Sequence, residues 1–207
     1  MNQNKLAAWA GMIGPILFVG IFTLEGWLRP GYNSLSMFVS QLSLSPRGWI
    51  QTLNFIVLGI LFLIFARGIA AEFKEGKASR IGPLLFTIIG LAFLFSGSFV
   101  MDPAPTPTNL LSWHGWLHNI FGAFVFGLAP VSCFIFFRRF RVDPKWQSLQ
   151  WWTLIAGVII TIAVIFLKAG QLGTGGLHDV IGLIQRVALI TYLFWIFTFA
   201  LILHRQR

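Results

Sequence analysis

Long apolar stretches separated by short polar connections dominate this chain. Six of them lie at about residues 6–28, 48–71, 81–101, 113–137, 149–168 and 178–203. A helix crosses a hydrocarbon core of about 30 Å with roughly 20 residues, so each stretch is long enough to span a membrane. Because lipid offers the backbone no hydrogen-bond partners, we predict that all six are α-helices. The predicted fold class is all-α: an integral membrane bundle of six transmembrane helices, forming a single domain over residues 1–207.

Basic residues gather in alternate connections and thereby indicate the orientation of the helices. On one side they are Lys5; Lys74, Lys77 and Arg80; Arg138, Arg139, Arg141 and Lys145; and Arg205 and Arg207. The opposite side carries Arg29, Arg47 and Lys168. Because cytoplasmic loops are enriched in Lys and Arg, both termini are predicted to lie in the cytoplasm (N-in/C-in). We expect a multi-pass protein of the cytoplasmic membrane.

Composition restricts the partners of the chain. Of its 207 residues, 57% are hydrophobic and 10% are charged. A soluble domain of this size could not bury that much apolar surface. The net charge of +9 lies mostly in the connections, where it orients the helices and contacts anionic headgroups, so no nucleic-acid partner is expected. A single cysteine, Cys133, excludes an intramolecular disulfide. The predicted partner is the lipid bilayer, and the oligomeric state is left open.

The connection between the first two helices, RPGYNSLSMFVSQLSLSPRGW, is too long for a tight turn and too apolar for a solvated loop. Apolar residues recur in it at helical spacing: Leu35, Phe38, Val39 and Leu42. Ser34 precedes them and is a good N-cap residue. We therefore predict a short amphipathic interfacial helix that lies on the outer membrane surface and acts as a lid.

Acidic residues and histidines collect at the predicted outer ends of the helices. They are Glu25, Asp102 and Asp179, together with His114, His118 and His178. Arg186 follows eight residues after His178, about 12 Å deeper, and a charge at that depth normally has a partner, here one of the outer carboxylates. We predict an outward-facing pocket for a small polar or lipid headgroup ligand. Its predicted ligand-binding residues are Glu25, Asp102, His118, Asp179 and Arg186.

The histidine spacing suggests a metal. His114 and His118 are four residues apart and project from one helix face, so that His178 would complete three ligands for a divalent ion such as zinc. In that case the protein would be a metal-dependent hydrolase acting at the outer leaflet. The pair lacks the intervening Glu of the zincin motif. Haem is the weaker alternative, because the inner side has no second histidine pair, and the residues leave open whether the protein is an enzyme.

Two other classes of function compete with a ligand pocket. In a small proton-coupled transporter, Asp102, His118 and Arg186 would form a relay. The predicted inner half offers few polar residues to complete a pathway, and transporter sites usually lie near the midplane. In a non-catalytic structural or accessory subunit, the polar groups would only satisfy one another.

Several short motifs run through nearly the whole chain. They are Gly14-Pro15; Arg29-Pro30-Gly31-Tyr32-Asn33, Ser40 and Gly48-Trp49-Ile50-Gln51; Asp102-Pro103; Gly115 and His118; and Gln185-Arg186. In order and spacing the chain resembles DUF998, a family of uncharacterised bacterial and archaeal multi-pass membrane proteins. The resemblance implies the six-helix fold and a membrane location, and it implies no activity. Met37-Phe38 stands where we expect relatives often to carry a histidine.

Overall fold

The computed structural model describes residues 3–76 and 78–206, so Lys77 and Arg207 of the charge pattern lie outside the described residues. The helices are α1 (Gln3–Leu28), α2 (Gly48–Glu72), α3 (Ala78–Ser98), α4 (Trp113–Phe140), α5 (Gln150–Gln171) and α6 (Ile181–Arg205). Shorter 3-10 helices cover Val39–Leu44, Thr108–Leu110, Gln147–Leu149 and Gly175–Val180. Within the described ranges there is no strand, and six helices are long and apolar enough to cross a membrane. The all-α, six-span prediction is confirmed.

The helices follow one another around the bundle in chain order. Each packs on the next, and α6 closes the bundle by packing on α1. The α2–α3 pair is especially close: a β-carbon at Gly59 would lie 2.6 Å from the carbonyl oxygen of Gly90. Small residues permit such close approach of helix backbones in membranes. By contrast, α4, which carries His114 and His118, makes few contacts with α6, and His178 lies in the 3-10 helix that precedes α6.

The two ends of the bundle differ in content. We call residues 29–47 the lid segment. The end of the bundle where they lie is the lid end, and the opposite end is the basic end. Two ion pairs lie at the basic end: Arg139 contacts Asp143 at 2.9 Å, and Lys145 contacts Glu72, the last residue of α2, at 3.2 Å. The orientation of these ends relative to the cytoplasm stays a prediction.

Aromatic rings fill the half of the interior nearer the basic end. Phe86 and Phe136 stack with ring centroids 5.2 Å apart, and Phe199 lies 5.0 Å from both Phe136 and Trp146. The almost completely buried rings in this half are Phe62, Phe65, Phe73, Phe86, Phe136, Phe140, Trp146, Trp195 and Phe199. Their dense packing leaves this half of the bundle as an apolar core.

The lid segment packs into the bundle, and the amphipathic α-helix that was predicted from Leu35 to Leu42 is not observed. Its regular part is the 3-10 helix Val39–Leu44, whose first four residues are buried. An α-helix from Ser34 would pair the Phe38 amide with the Ser34 carbonyl. Here the Phe38 amide donates to Gln41 Oε1 at 2.8 Å, and the Ser34 oxygen accepts from Arg186 at 2.7 Å. Side chains thus take the backbone groups that an α-helix would pair internally.

Candidate functional site

Arg186 anchors the lid segment to α6. Its Nη1 donates to the carbonyl oxygens of Ser34 at 2.7 Å, of Met37 at 2.9 Å and of Gly182 at 2.9 Å, and its Nη2 donates to the Tyr32 hydroxyl. The side chain is buried, and no carboxylate of the described chain forms an ion pair with it. The predicted carboxylate partner of Arg186 is therefore wrong. Carbonyl dipoles solvate this charge instead, as buried charges require hydrogen-bond partners of some kind.

Tyr32 completes this anchor as a neutral phenol. Burial raises the pKa of Tyr32 above its ordinary value, and this effect outweighs the opposing influence of Arg186 and Arg29. Its hydroxyl donates to the carbonyl oxygen of Phe38 at 2.9 Å while it accepts from Arg186. The guanidinium carbon of Arg186 also lies 5.5 Å from the centre of the Tyr32 ring, within cation–π range.

The first turns of α6 form a seat for the lid segment. Gln185 Oε1 accepts from the amide of Val39 at 2.8 Å, and the Leu183 amide donates to the Leu35 carbonyl at 2.9 Å. Gly182 allows this contact, because a β-carbon there would lie 2.3 Å from the Met37 oxygen. The segment is thus held by hydrogen bonds to its backbone as well as by apolar packing.

A cavity of about 40 Å³ lies beneath the lid segment, bordered by α2, α3, α4 and α6. Its polar lining residues are Ser40, Ser96, His118 and Gln185, and its apolar walls include Phe55, Phe93, Val125, Phe126 and Leu189. Of the predicted ligand-binding residues, only His118 lines this cavity. Ser40 and Gln185 are not among the predicted pocket residues, although both stand in the motifs that carry the family resemblance.

The geometry around His118 determines its tautomer. Nδ1 lies 2.8 Å from the carbonyl oxygen of Phe99 and 3.0 Å from that of Ser96. Because a carbonyl oxygen can only accept, Nδ1 carries the proton in the neutral ring, and Nε2 keeps a lone pair. Both hydrogen bonds that described residues make to this ring are at Nδ1. The free acceptor of the His118 ring is therefore Nε2.

His114 and His118, four residues apart on α4, cap the end of α3 with their imidazole rings. The last carbonyl groups of a helix have no partner within it. Close to the end of α3 at Ser98, His118 takes the carbonyls of Ser96 and Phe99, and His114 Nδ1 lies 2.9 Å from the Val100 oxygen. The two imidazoles share one face of α4, as the spacing predicts, and that face meets the end of α3.

Asp102 and Ser112 form the N-cap of α4. Ser112 donates to Asp102 from Oγ at 2.7 Å and from its amide at 2.8 Å, and Ser112 Oγ accepts from the Gly115 amide at 3.1 Å. The Ser112 hydroxyl, followed by its amide and by His114, holds the pKa of Asp102 below its ordinary value despite some desolvation. A β-carbon at Gly115 would lie 2.1 Å from Asp102 Oδ2, so glycine is needed there.

The trio of Asp102, Ser112 and His114 does not have the geometry of a hydrolase triad. In such a triad the imidazole lies between the carboxylate and the nucleophilic hydroxyl. Here the hydroxyl lies in the middle, donating to Asp102 and 3.0 Å from His114 Nδ1. The arrangement terminates a loop and begins a helix.

The remaining predicted site residues lie apart from the cavity. Glu25 forms an ion pair with Arg47 at 2.6 Å. His178 and Asp179 are exposed in the 3-10 helix Gly175–Val180. Among the described residues, no three His, Cys, Asp or Glu side chains are grouped so that they could hold a metal ion. The structure therefore does not assemble His114, His118 and His178 into one site, because the first two face the end of α3.

Comparison with known proteins places this architecture in a family. The model of the family described as "protein of unknown function (DUF998)" matches residues 12–202. The chain belongs to the DUF998 family. This confirms the resemblance, and all motifs that carried it lie inside the matched range of the DUF998 model. No curated protein and no solved structure matches this DUF998 chain.

Proposed function

We propose that this DUF998 protein binds the hydroxyl group of a membrane amphiphile, with His118 Nε2 as the acceptor. The observation that carries the proposal is a lone pair on a buried imidazole that borders a cavity. Ionisable residues within a membrane bundle are costly and usually serve a function. Here the ring also closes the end of α3, a task that uses Nδ1 and leaves Nε2 free for a ligand.

The size and polarity of the cavity favour a small neutral group. A volume of about 40 Å³ holds roughly two or three water-sized groups, which suits a hydroxymethyl group and excludes a whole headgroup. Phe55, Phe93 and Val125 in the walls disfavour a charged group, which would lose its hydration there. Ser40, Ser96 and Gln185 offer further polar atoms to a ligand hydroxyl.

The route into the cavity favours a ligand from the lipid. On α4, a β-carbon at the lining residue Gly122 would meet no atom within 4 Å, so open space lies beside the wall. The apolar chain of an amphiphile would occupy the open space beside Gly122 while its hydroxyl reached His118.

The half of the interior nearer the basic end does not support a transporter in the way that the cavity supports ligand binding. The stacked pair Phe86 and Phe136 and the ring of Phe199 fill the interior towards the basic end. A proton relay from Asp102 through His118 to Arg186 also lacks support, because Asp102 caps α4 and Arg186 anchors the lid segment. The purely structural alternative is tested directly by the binding experiment below.

The test compares oleyl alcohol with oleyl methyl ether, which lacks the donor, by native mass spectrometry on the purified protein. We expect the alcohol to bind about ten-fold more tightly, the value of one hydrogen bond of about 1.4 kcal/mol. Gly122→Leu fills the open space at the cavity wall and should abolish binding of both compounds. Gly127→Leu is the matched control, since a β-carbon there also meets no atom within 4 Å and the residue does not line the cavity.

The role of His118 is tested by the preference for the alcohol over the ether, not by the stability of the variant. His118→Phe removes the acceptor and should bind the alcohol and the ether equally. Equal binding of the two compounds by the wild-type protein, or unchanged binding in Gly122→Leu, would show that the cavity is only a packing feature.

A further inference from the structure

A second cavity, separate from the one beside His118, opens where the lid segment joins α1 and α2. Its volume is about 380 Å³, within the range of small-molecule sites. Its lining residues are Glu25, Leu28, Arg29, Pro30, Leu44, Ser45, Pro46 and Arg47. We propose that this groove binds the phosphate group of an anionic membrane lipid. The proposal is independent of the hydroxyl site proposed above.

Three positive features converge on the groove. Arg29 donates to the Gln41 carbonyl and so is held at the wall, while Arg47 has 58% of its side chain exposed. The N-terminus of α2 begins directly after Arg47, with no side-chain cap and no acidic residue in its first turn, and its Gly48 and Ile50 amides donate to the Ser45 and Arg47 carbonyls. The positive end of a helix dipole and two guanidinium groups together favour a phosphate.

The one carboxylate in the groove occupies a position that a phosphate could take. Glu25 accepts a charge-assisted hydrogen bond of 2.6 Å from Arg47, and its side chain is only 12% exposed. Two arginines and one glutamate leave a net charge of +1 in the groove. A lipid phosphate would therefore exchange with Glu25 for Arg47, and Glu25 would limit the affinity of the site.

The surroundings favour a lipid over a free anion. Leu28, Pro30 and Leu44 add apolar surface beside the two arginines. The groove lies at the ends of two membrane-spanning helices, where headgroups lie. Trp27 and Trp49 flank it with 84% and 65% of their surface exposed, as expected of tryptophans at the interface of a membrane.

The experiment uses the full chain in phosphatidylcholine nanodiscs with a photoactivatable phosphatidylglycerol, followed by peptide mapping of the crosslinks. We expect crosslinks on residues 25–49 in the wild-type protein. Arg47→Gln should reduce them about ten-fold, the loss of one charge-assisted contact. Glu25→Gln should increase them, because the competing carboxylate is gone. Arg141→Gln, which removes an exposed arginine at the basic end, should leave them unchanged.

Opposite effects of Arg47→Gln and Glu25→Gln on crosslinking distinguish a lipid site from a structural ion pair. If the pair were only structural, loss of either partner would change the crosslinking in the same direction. If Arg47→Gln proves unstable, the increase in Glu25→Gln alone decides the question. Equal crosslinking by a diacylglycerol analogue without phosphate would overturn the proposal. Complete competition by inorganic phosphate would overturn the assignment to a lipid and indicate a site for free phosphate.

Discussion

The guanidinium of Arg186 lies 2.9 Å from the carbonyl oxygen of Met37, a residue 149 positions earlier in the chain. This contact joins the start of α6 to the lid segment, and the same turn of α6 contributes Gln185 to the cavity beside His118. The roof of the cavity, formed by Val39 and Ser40, is therefore positioned by α6. Order in the lid segment and the shape of the cavity should change together.

We predict that Arg186→Gln destabilises the protein by about 3 kcal/mol or more, because hydrogen bonds from a charged group contribute about 1.5–3 kcal/mol each. Thermal unfolding in detergent measures the change, and limited proteolysis should show new cleavage within residues 29–47. Arg67→Gln, at an exposed arginine of α2, is the control and should change neither. An unchanged unfolding temperature in Arg186→Gln would contradict the anchoring role.

Tyr32→Phe should cost about 1–2 kcal/mol, since it removes the hydroxyl that accepts from Arg186 and donates to Phe38. A double-mutant cycle with Arg186→Gln measures whether the two side chains act together. We expect the double variant to be less destabilised than the sum of the single variants. Strict additivity would mean that Tyr32 supports the lid segment independently of Arg186.

Gly182→Ala is expected to displace the lid segment, because the added methyl group would overlap the Met37 backbone. Overpacking of this kind typically costs about 1–3 kcal/mol. Gly176→Ala is a suitable control, because a β-carbon at Gly176 meets no atom within 4 Å. Proteolysis of residues 29–47 reports the displacement, and a lid segment as resistant in Gly182→Ala as in the wild type would refute this account.

The capping of α4 by Asp102 predicts a dependence of stability on pH. The pKa of Asp102 is lowered in the folded protein, chiefly by the Ser112 hydroxyl. Its stabilising effect is therefore present above the unfolded pKa of about 3.9 and is lost as the pH falls through the folded pKa. Asp102→Asn should melt below the wild type near neutral pH, and the difference should shrink in acid. Melting curves across the acidic range test this.

Asp179→Asn serves as the control for that titration, because Asp179 is exposed in the 3-10 helix Gly175–Val180. We expect it to retain the pH dependence of the wild type. A constant difference in melting temperature between wild type and Asp102→Asn at all pH values would mean that the charge of Asp102 does not contribute to the cap.

Ser112→Ala, which removes the N-cap hydroxyl, should lower the free energy of unfolding by about 1 kcal/mol.

The chain's own pattern determined the class of structure. Six apolar stretches predicted six spans, because the need to pair every backbone group in lipid leaves helices as the solution for such stretches. The pattern also placed His114 and His118 on one face of α4, since this depends on local spacing alone. The motifs that carry the family resemblance include Tyr32, Gln185 and Arg186, three residues that join the lid segment to α6.

Only the tertiary structure decided what those polar groups do. A histidine pair at helical spacing can bind either a metal or unpaired carbonyl groups at the end of a neighbouring helix. The packing of α4 on α3 brings the pair to the carbonyls of Phe99 and Val100, just after the end of α3. Likewise, the segment after Ser34 has the spacing of an amphipathic helix, but Gln185 and Arg186 bind its backbone and hold it as a 3-10 turn. Local sequence determined which faces and ends were polar. Long-range partners determined which hydrogen bonds they make, because those partners are far away in sequence.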